Sequence, residues 1–235
     1  MNSIRLPGKM LKKIGKKLAL ECMTDRLRYS RKLDEIILAI GKENSQLLVN
    51  LAKKNKLRYF VGSEEDVLDR FYQTAKKFHA DIILRTTSDA PLIDPEIIDN
   101  VINFYLQRED KIDFVTTTKP KDTFPEGMGT EIFSFSTLKR TWREAKQDYE
   151  RQHVTPYMFK HPEIFHINTF SNKEDLSHMR WTIDEEQDLQ FIREIYKRIS
   201  KIDKFCHMQD ILEILRKEPY LLKINQDVQQ KIVKI

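Results

Sequence analysis

The sequence predicts an α/β fold with a mainly parallel sheet, and three observations carry the prediction. Short β-rich apolar runs alternate with longer stretches whose apolar residues recur at helical spacing. Residues 35–40 (EIILAI) form a continuous apolar run with a charged flank, the pattern of a strand buried on both faces. Glycine is scarce, and all six (Gly8, Gly15, Gly41, Gly62, Gly127 and Gly129) fall where a turn can separate such segments.

Each element follows in order. Residues 43–55 place Leu47, Leu48, Leu51 and Ala52 on one helical face. Residues 58–62 (RYFVG) read as a strand ending at Gly62. Ser63, with Asp66 three residues later, resembles a capping box that opens a helix. That helix buries Val67, Leu68, Phe71, Tyr72, Ala75 and Phe78. Residues 81–85 (DIILR) are the next strand. Asp94 then caps a helix with Pro95 at its first position, and Ile97, Ile98, Val101, Ile102 and Tyr105 form its apolar face. Further strands are expected at 113–118, 130–135, 165–170 and 179–183, and helices at 136–147, 150–160, 185–200 and 207–217. No internal repeat or Gly/Ser linker divides the chain. Residues 1–200 are expected to form one domain. Residues 201–235 are expected as a C-terminal helical extension, either packed back or partly mobile.

Composition narrows the function. Hydrophobic residues make up 40% and charged residues 33%, as in a water-soluble globular chain. No run of 18 apolar residues occurs, so no membrane helix is expected. The first nine residues, MNSIRLPGK, hold no apolar core of a secretory signal. Cys22 and Cys206 are far apart and lack metal-type spacing, which argues against a disulfide scaffold or a cysteine zinc site. A reducing cytoplasm is the expected location. With 41 Lys+Arg against 36 Asp+Glu, the net charge of +5 suggests anionic partners. Nucleic acid is not among those expected, since no reading motif or aromatic–basic stripe accompanies the charge. Neither HExxH nor a triad-like order of His with Ser or Cys occurs, so a hydrolase triad is not expected.

Three segments can carry chemistry. The first is residues 3–9 (SIRLPGK), where a turn at Pro7 and Gly8 can bring Ser3, Arg5, Lys9 and backbone N–H groups onto one anion. It is neither a GxxxxGK[ST] loop nor a GxGxxG turn, and a solvated basic N-terminus would read the same way. The second is residues 85–94 (RTTSDAPLID). Asp89 lies just past a strand's carboxyl end, where open α/β sheets bind ligands, and can hold a hard cation that carries phosphates. It can equally be a turn-former before Pro91, and Asp94 reads as a helix cap. The third is residues 180–188 (RWTIDEEQD), where Asp184 ends a strand and begins an acidic helix turn. Asp89 and Asp184 could converge on one Mg²⁺, although spacing alone leaves an N-cap role open for Asp184. His153 lies in a polar helix start.

Together these segments resemble the CMP-sugar synthetases, the acylneuraminate and 3-deoxy-manno-octulosonate cytidylyltransferases. They are more similar still to the spore coat polysaccharide biosynthesis protein F family. Residues 3–9 resemble that family's S-x-R-L-P-G-K signature. Gly62, Ser63 and the D-V-L-D-R at 66–70 resemble G-S-x-x-D-V-L-D-R. Residues 85–95 resemble R-x-T-G-D-C-P-L-I-D-P. Pro125, Glu126 and Gly127, with Glu131 to Ser134, resemble P-D-G-x-x-x-E-V-F-S. Glu150, Arg151 and residues 153–156 resemble E-R-E-H-V-T-P. Leu176, Ser177, Arg180, Trp181, Thr182 and Asp184 resemble L-S-x-x-R-W-T-V-D. The resemblance covers about residues 1–200 in register.

The resemblance implies a Rossmann-like, three-layer nucleotidyltransferase fold. It implies Mg²⁺-dependent transfer of CMP from CTP to an acidic or related sugar, with loss of pyrophosphate, in surface polysaccharide synthesis. By position, Ser3, Arg5, Gly8 and Lys9 hold the nucleotide phosphates, and Arg70, Arg85 and Ser88 line the nucleotide site. Asp89 and Asp184 hold the metal and, with Lys9, are the catalytic set. Glu131, Glu150 and His153 fall on the sugar side. No membrane partner is implied, and a homodimer is left open.

The chain departs from the family pattern at three places. Ser88 replaces a Gly, Ala90 replaces a Cys, and the family's apolar strand and A-R dipeptide before the signature have no counterpart after Met1. A sheet lacking a central strand is expected to be less soluble and poorly active. The competing reading is therefore a non-catalytic relative that binds a nucleotide or a protein.

Overall fold

The computed structural model describes residues 5–43 and 45–230. A small hairpin, β1 (Lys13–Ile14) and β2 (Lys17–Leu18), leads into α1 (Ala19–Leu27). Then β3 (Ile37–Gly41), α2 (Ser45–Lys54), β4 (Arg58–Gly62), α3 (Val67–Lys77) and β5 (Ile82–Thr86) alternate. Next come α4 (Pro95–Leu106), β6 (Phe114–Thr116), β7 (Thr130–Ser134) and α5 (Phe135–Glu144). The order continues with α6 (Asp148–His153), α7 (Pro156–Lys160), β8 (Ile167–Thr169), α8 (Glu186–Ile199) and α9 (Met208–Lys217), followed by a 3₁₀ segment, Pro219–Ile224.

The larger sheet runs β5-β7-β6-β8. Strands β5, β6 and β8 share one direction, and β7 runs against both β5 and β6. Strands β3 and β4 form a separate parallel pair. Successive residues of the central strands enter opposite cores, as the pleat requires. Val115 and Ile132 pack with α1, α4, α8 and α9, whereas Phe114 and Phe133 pack with α3, α5 and α7. The sheet is thus the middle of three layers. Trp181, Phe114, Phe133, Phe165 and Phe191 are fully buried. Each such side chain contributes roughly 1.5–3 kcal/mol by leaving water.

Several expectations change in detail. Residues 35–40 read as doubly buried, yet within β3 only Ile40 is buried. The reason is lateral, because among the described residues β3 has a ladder partner on one edge only. Residues 179–183 are not a ladder strand. They bond to loops, with Trp181 N donating to Glu126 O at 2.7 Å and Ile183 N to Asp89 O at 3.0 Å. The helix expected over 150–160 breaks in two at Val154, whose φ is +73°. Helix α3 is capped by Asp66, which accepts from Asp69 N, while Ser63 Oγ accepts from Asp66 N. Helix α1 and the hairpin before it were not expected.

Asp94 caps α4 as expected, accepting from Glu96 N at 2.9 Å, and its other oxygen accepts from Met208 N at the start of α9. One carboxylate therefore staples two helix N-termini. Residues 201–230 feed Met208, Ile211, Leu212, Leu215 and Leu221 into the largest core. Arg26 bonds both Ile93 O and Cys206 O, tying that segment to α1. Cys22 and Cys206 are free and buried. No described helix is long and apolar enough to cross a membrane.

Candidate active site

The N-terminal loop is pinned by Leu6, which is buried in the main core. Gly8 adopts φ +66°, a left-handed conformation that glycine takes without steric penalty, and turns the chain into a single 3₁₀ turn at Lys9–Leu11. This turn directs Lys9 inward. Its ammonium donates to Asp184 Oδ1 at 2.7 Å and makes a short ion pair with Asp89. The two aspartates lie 95 positions apart and meet because their segments are stitched together. Ile183 N and Thr182 Oγ1 both donate to Asp89 O, at 3.0 and 3.3 Å. Gly127 permits the close packing behind them, since a Cβ there would sit 2.7 Å from Thr182 N.

Asp184 is not the N-cap that the sequence left open. Glu185 holds that position, and Asp188, fully buried three residues on, has an Oδ2 that accepts from the N–H groups of Asp184 and Glu185. Arg180 ties the group together. Its guanidinium reaches Asp184 at 3.3 Å, Asp188 at 3.2 Å and Glu126 in a short ion pair. Arg5 also reaches Asp184, at 3.3 Å, and Glu185. Burial pushes the Lys9 ammonium down, but Asp89 and Asp184 outweigh it and hold its pKa above the ordinary lysine value. Burial likewise pushes Asp184 up, and the Lys9 bond and charge, with Arg5 and Arg180, hold it below the ordinary carboxylate value.

A second cluster lies on the β5–β7 ladder. Arg85 and Glu131 are direct cross-strand partners and form a short ion pair. Glu131 also accepts from Thr155 Oγ1 at 2.8 Å. Arg85 Nε is buried and has no partner among the described residues, a donor left over for a ligand oxygen. His153 has its pKa lowered by burial and by the Arg85 charge, which favours the neutral ring. Between His153 and Thr155 the chain makes a γ-turn: Val154 sits at φ +73° and ψ −54°, and Thr155 N donates to His153 O at 2.9 Å.

The remaining expected residues have partners of their own. Arg70 donates to the carbonyls of Ser63 and Glu64, and its pKa is lowered by burial. Ser88 Oγ rests on Met10 Sδ at 2.6 Å. Glu150 does not stand free for a sugar. Its carboxylate accepts from Lys146 N, Gln147 N and the Tyr149 hydroxyl, which makes it a helix-capping group. Ser3 lies outside the described residues. Arg180, Asp188 and Glu126 were not expected as site residues. The i, i+4 spacing of Arg180, Asp184 and Asp188 was the available signal, hidden in an acidic run that looks like an ordinary first turn.

Two carboxylates from separate segments, both within bonding reach of one positive atom, suit a hard divalent cation. Asp94, Glu96 and His207 also bring metal-type donors together. There, however, the positive ends of α4 and α9 already neutralise Asp94.

The profile of the family described as "Cytidylyltransferase" matches residues 1–223. An uncharacterised protein of Methanocaldococcus jannaschii is 36% identical over 232 residues, 97% of this chain and 92% of that protein. The spore coat polysaccharide biosynthesis protein SpsF of Bacillus subtilis is 30% identical over 209 residues, 86% of this chain and 85% of that one. The solved structure of a cytidylyltransferase from Leptospira borgpetersenii superposes with a TM-score of 0.90 at 32% identity, covering 100% of this chain and 95% of that one.

Proposed function

The chain belongs to the cytidylyltransferase family, and from that membership we propose that it transfers CMP from CTP to a sugar, releasing pyrophosphate, in the synthesis of a surface polysaccharide. The observation that carries the reading is the Lys9 ammonium held between Asp89 and Asp184. It puts a phosphate-binding cation and a pair of metal-type carboxylates at one largely buried point.

In this reading a sugar hydroxyl attacks the α-phosphorus, its proton passing to water, as the bond to the departing pyrophosphate breaks. Charge then grows on the phosphate oxygens, and stabilising it is the protein's main electrostatic task. Lys9 and Arg5 move onto the phosphates, and the backbone at Gly8 lets the loop close against them. Asp89 and Asp184 would hold a Mg²⁺ ion, which when bound supplies Lewis-acid stabilisation of those oxygens. Asp188 and Arg180 fix the position of Asp184. Arg70 and Ser88 stand beside the nucleotide, and Ser3 is assigned to the phosphates by its place in the sequence motif alone. Arg85, Glu131, Thr155 and the neutral ring of His153 face the sugar. The two unpaired cysteines fit a reducing compartment, and a cytoplasmic location is part of the proposal.

The test is pyrophosphate release from CTP, ATP, GTP and UTP against a panel of acidic and neutral sugars with Mg²⁺. Release that depends on both CTP and a sugar is expected. Nucleotide binding without release for any pair would overturn the enzymatic reading in favour of a non-catalytic nucleotide-binding protein.

A further inference from the structure

The cation between Asp89 and Asp184 is the chain's own. Lys9 Nζ lies 2.7 Å from Asp184 and in short contact with Asp89, and Arg5 and Arg180 lie 3.3 Å from the other oxygen of Asp184. Three protein cations thus surround two carboxylates. Only 17% of the Lys9 side chain is exposed, with 18% of Asp89 and 13% of Asp184, so water screens the group weakly. A divalent ion binds carboxylate oxygens at about 2.0–2.1 Å and needs the space that the ammonium fills. It would also sit beside a like charge.

We infer that Lys9 is an internal counter-cation that keeps the Asp89–Asp184 pair closed to a divalent ion until nucleotide phosphates draw it away. Metal and nucleotide then bind as a coupled pair, neither filling the site well alone. This rests on the reading of Asp89 and Asp184 as metal ligands given above.

The exchange follows from simple electrostatics. A metal ion arriving alone meets carboxylates that are already neutralised, and must push an ammonium out of a poorly hydrated place. A triphosphate arriving alone must pull Lys9 and Arg5 off their carboxylates, leaving those carboxylates uncompensated beside its own negative charge. When both arrive, every charge finds an opposite. The ion takes the carboxylates, and Lys9 and Arg5 take the phosphates. The flexible lysine stem and the turn at Gly8 supply the freedom to move. By linkage, the factor by which nucleotide tightens metal binding equals the factor by which metal tightens nucleotide binding.

The experiment measures Mn²⁺ binding to the full chain by electron paramagnetic resonance, without nucleotide and then with CTP. Weak binding to the wild type alone is expected. Lys9→Met, and Lys9→Gln as a second variant that keeps a donor for the carboxylates, should bind Mn²⁺ alone at least about fivefold more tightly. Adding Asp89→Asn to either should remove that gain. Two results separate failure of the inference from failure of the reading beneath it. If the Lys9 variants gain nothing while Asp89→Asn still abolishes Mn²⁺ binding with CTP, the counter-cation role is wrong and the metal assignment stands. If Asp89→Asn and Asp184→Asn leave Mn²⁺ binding with CTP unchanged, the metal assignment is wrong and the inference goes with it. The wild type alone is decisive even should both Lys9 variants fail to fold, because Mn²⁺ binding as tight without CTP as with it also overturns the inference.

Discussion

The two ionic clusters around Lys9 and Arg85 are built in opposite ways. Lys9, Asp89 and Asp184 come from three loops far apart in the chain, joined only by side chains and a few loop hydrogen bonds. Arg85 and Glu131 stand opposite each other on one antiparallel ladder, braced by Thr155. The first cluster can exchange partners, because a lysine on a glycine-hinged turn can swing. The second is held by strand register and presents a fixed surface. A group that must change partners during a reaction belongs on loops, and one that must recognise a shape belongs on a ladder.

The largest effect should come from the first cluster. Asp89→Asn and Asp184→Asn should each cut pyrophosphate release at saturating Mg²⁺ by at least about a hundredfold, since several kcal/mol of charge stabilisation is lost. Circular dichroism should show the fold retained. Wild-type turnover in either variant would remove that residue from the metal site.

Lys9→Ala should come next, raising the CTP KM and lowering kcat together, because the ammonium assists the transition state more than the ground state. Unchanged kinetics would reduce Lys9 to a structural partner of Asp89 and Asp184. In the second cluster, Glu131→Gln should raise the sugar KM by roughly ten- to a hundredfold, as loss of a charge-assisted bond of roughly 1.5–3 kcal/mol implies, and leave the CTP KM nearly as it was. The opposite split would move the ladder pair to the nucleotide side and erase the contrast between the clusters.

The smallest effect concerns acid. Asp184 is held below the ordinary carboxylate pKa in the folded chain, so its stabilisation is present above the unfolded value of about 3.9 and is lost as pH falls through the lower folded value. The difference in thermal midpoint between wild type and Asp184→Asn should therefore stay constant from pH 7 to about pH 5 and narrow only below about pH 4. A difference that already narrows near neutrality would place the Asp184 pKa above, not below, its ordinary value.

Much of the fold was legible because periodicity and caps are local. Asp94 and Pro95 announced α4, and the apolar face of that helix is buried residue for residue. The missed helix α1 carries Leu20, Met23 and Leu27 at helical spacing, but lysines upstream and charged residues within it obscured the pattern. Residues 179–183 alternate like a strand and are buried like one. Their partners are loops, however, and no local pattern specifies a partner. The candidate site shows the same divide. Asp89 and Asp184 could each be singled out by position after an apolar run. That Lys9 would lie between them, and that Arg85 would face Glu131, depended on register and loop packing across the whole chain. Glu150 matched a motif but its carboxylate was claimed by the helix start three residues before it.

The γ-turn at Val154 puts the edge beside Glu131 in another light. A β-branched residue at positive φ costs on the order of 1–3 kcal/mol, and here it is fully buried, so packing holds the backbone against its own preference. A glycine at 154 would relax the turn but forfeit roughly 1.5–3 kcal/mol of buried side chain, so the two effects nearly cancel in stability. They do not cancel in aim. Val154 works as a compressed spring in the backbone between His153 and Thr155, and the molecule gives up folding energy there to hold that one turn.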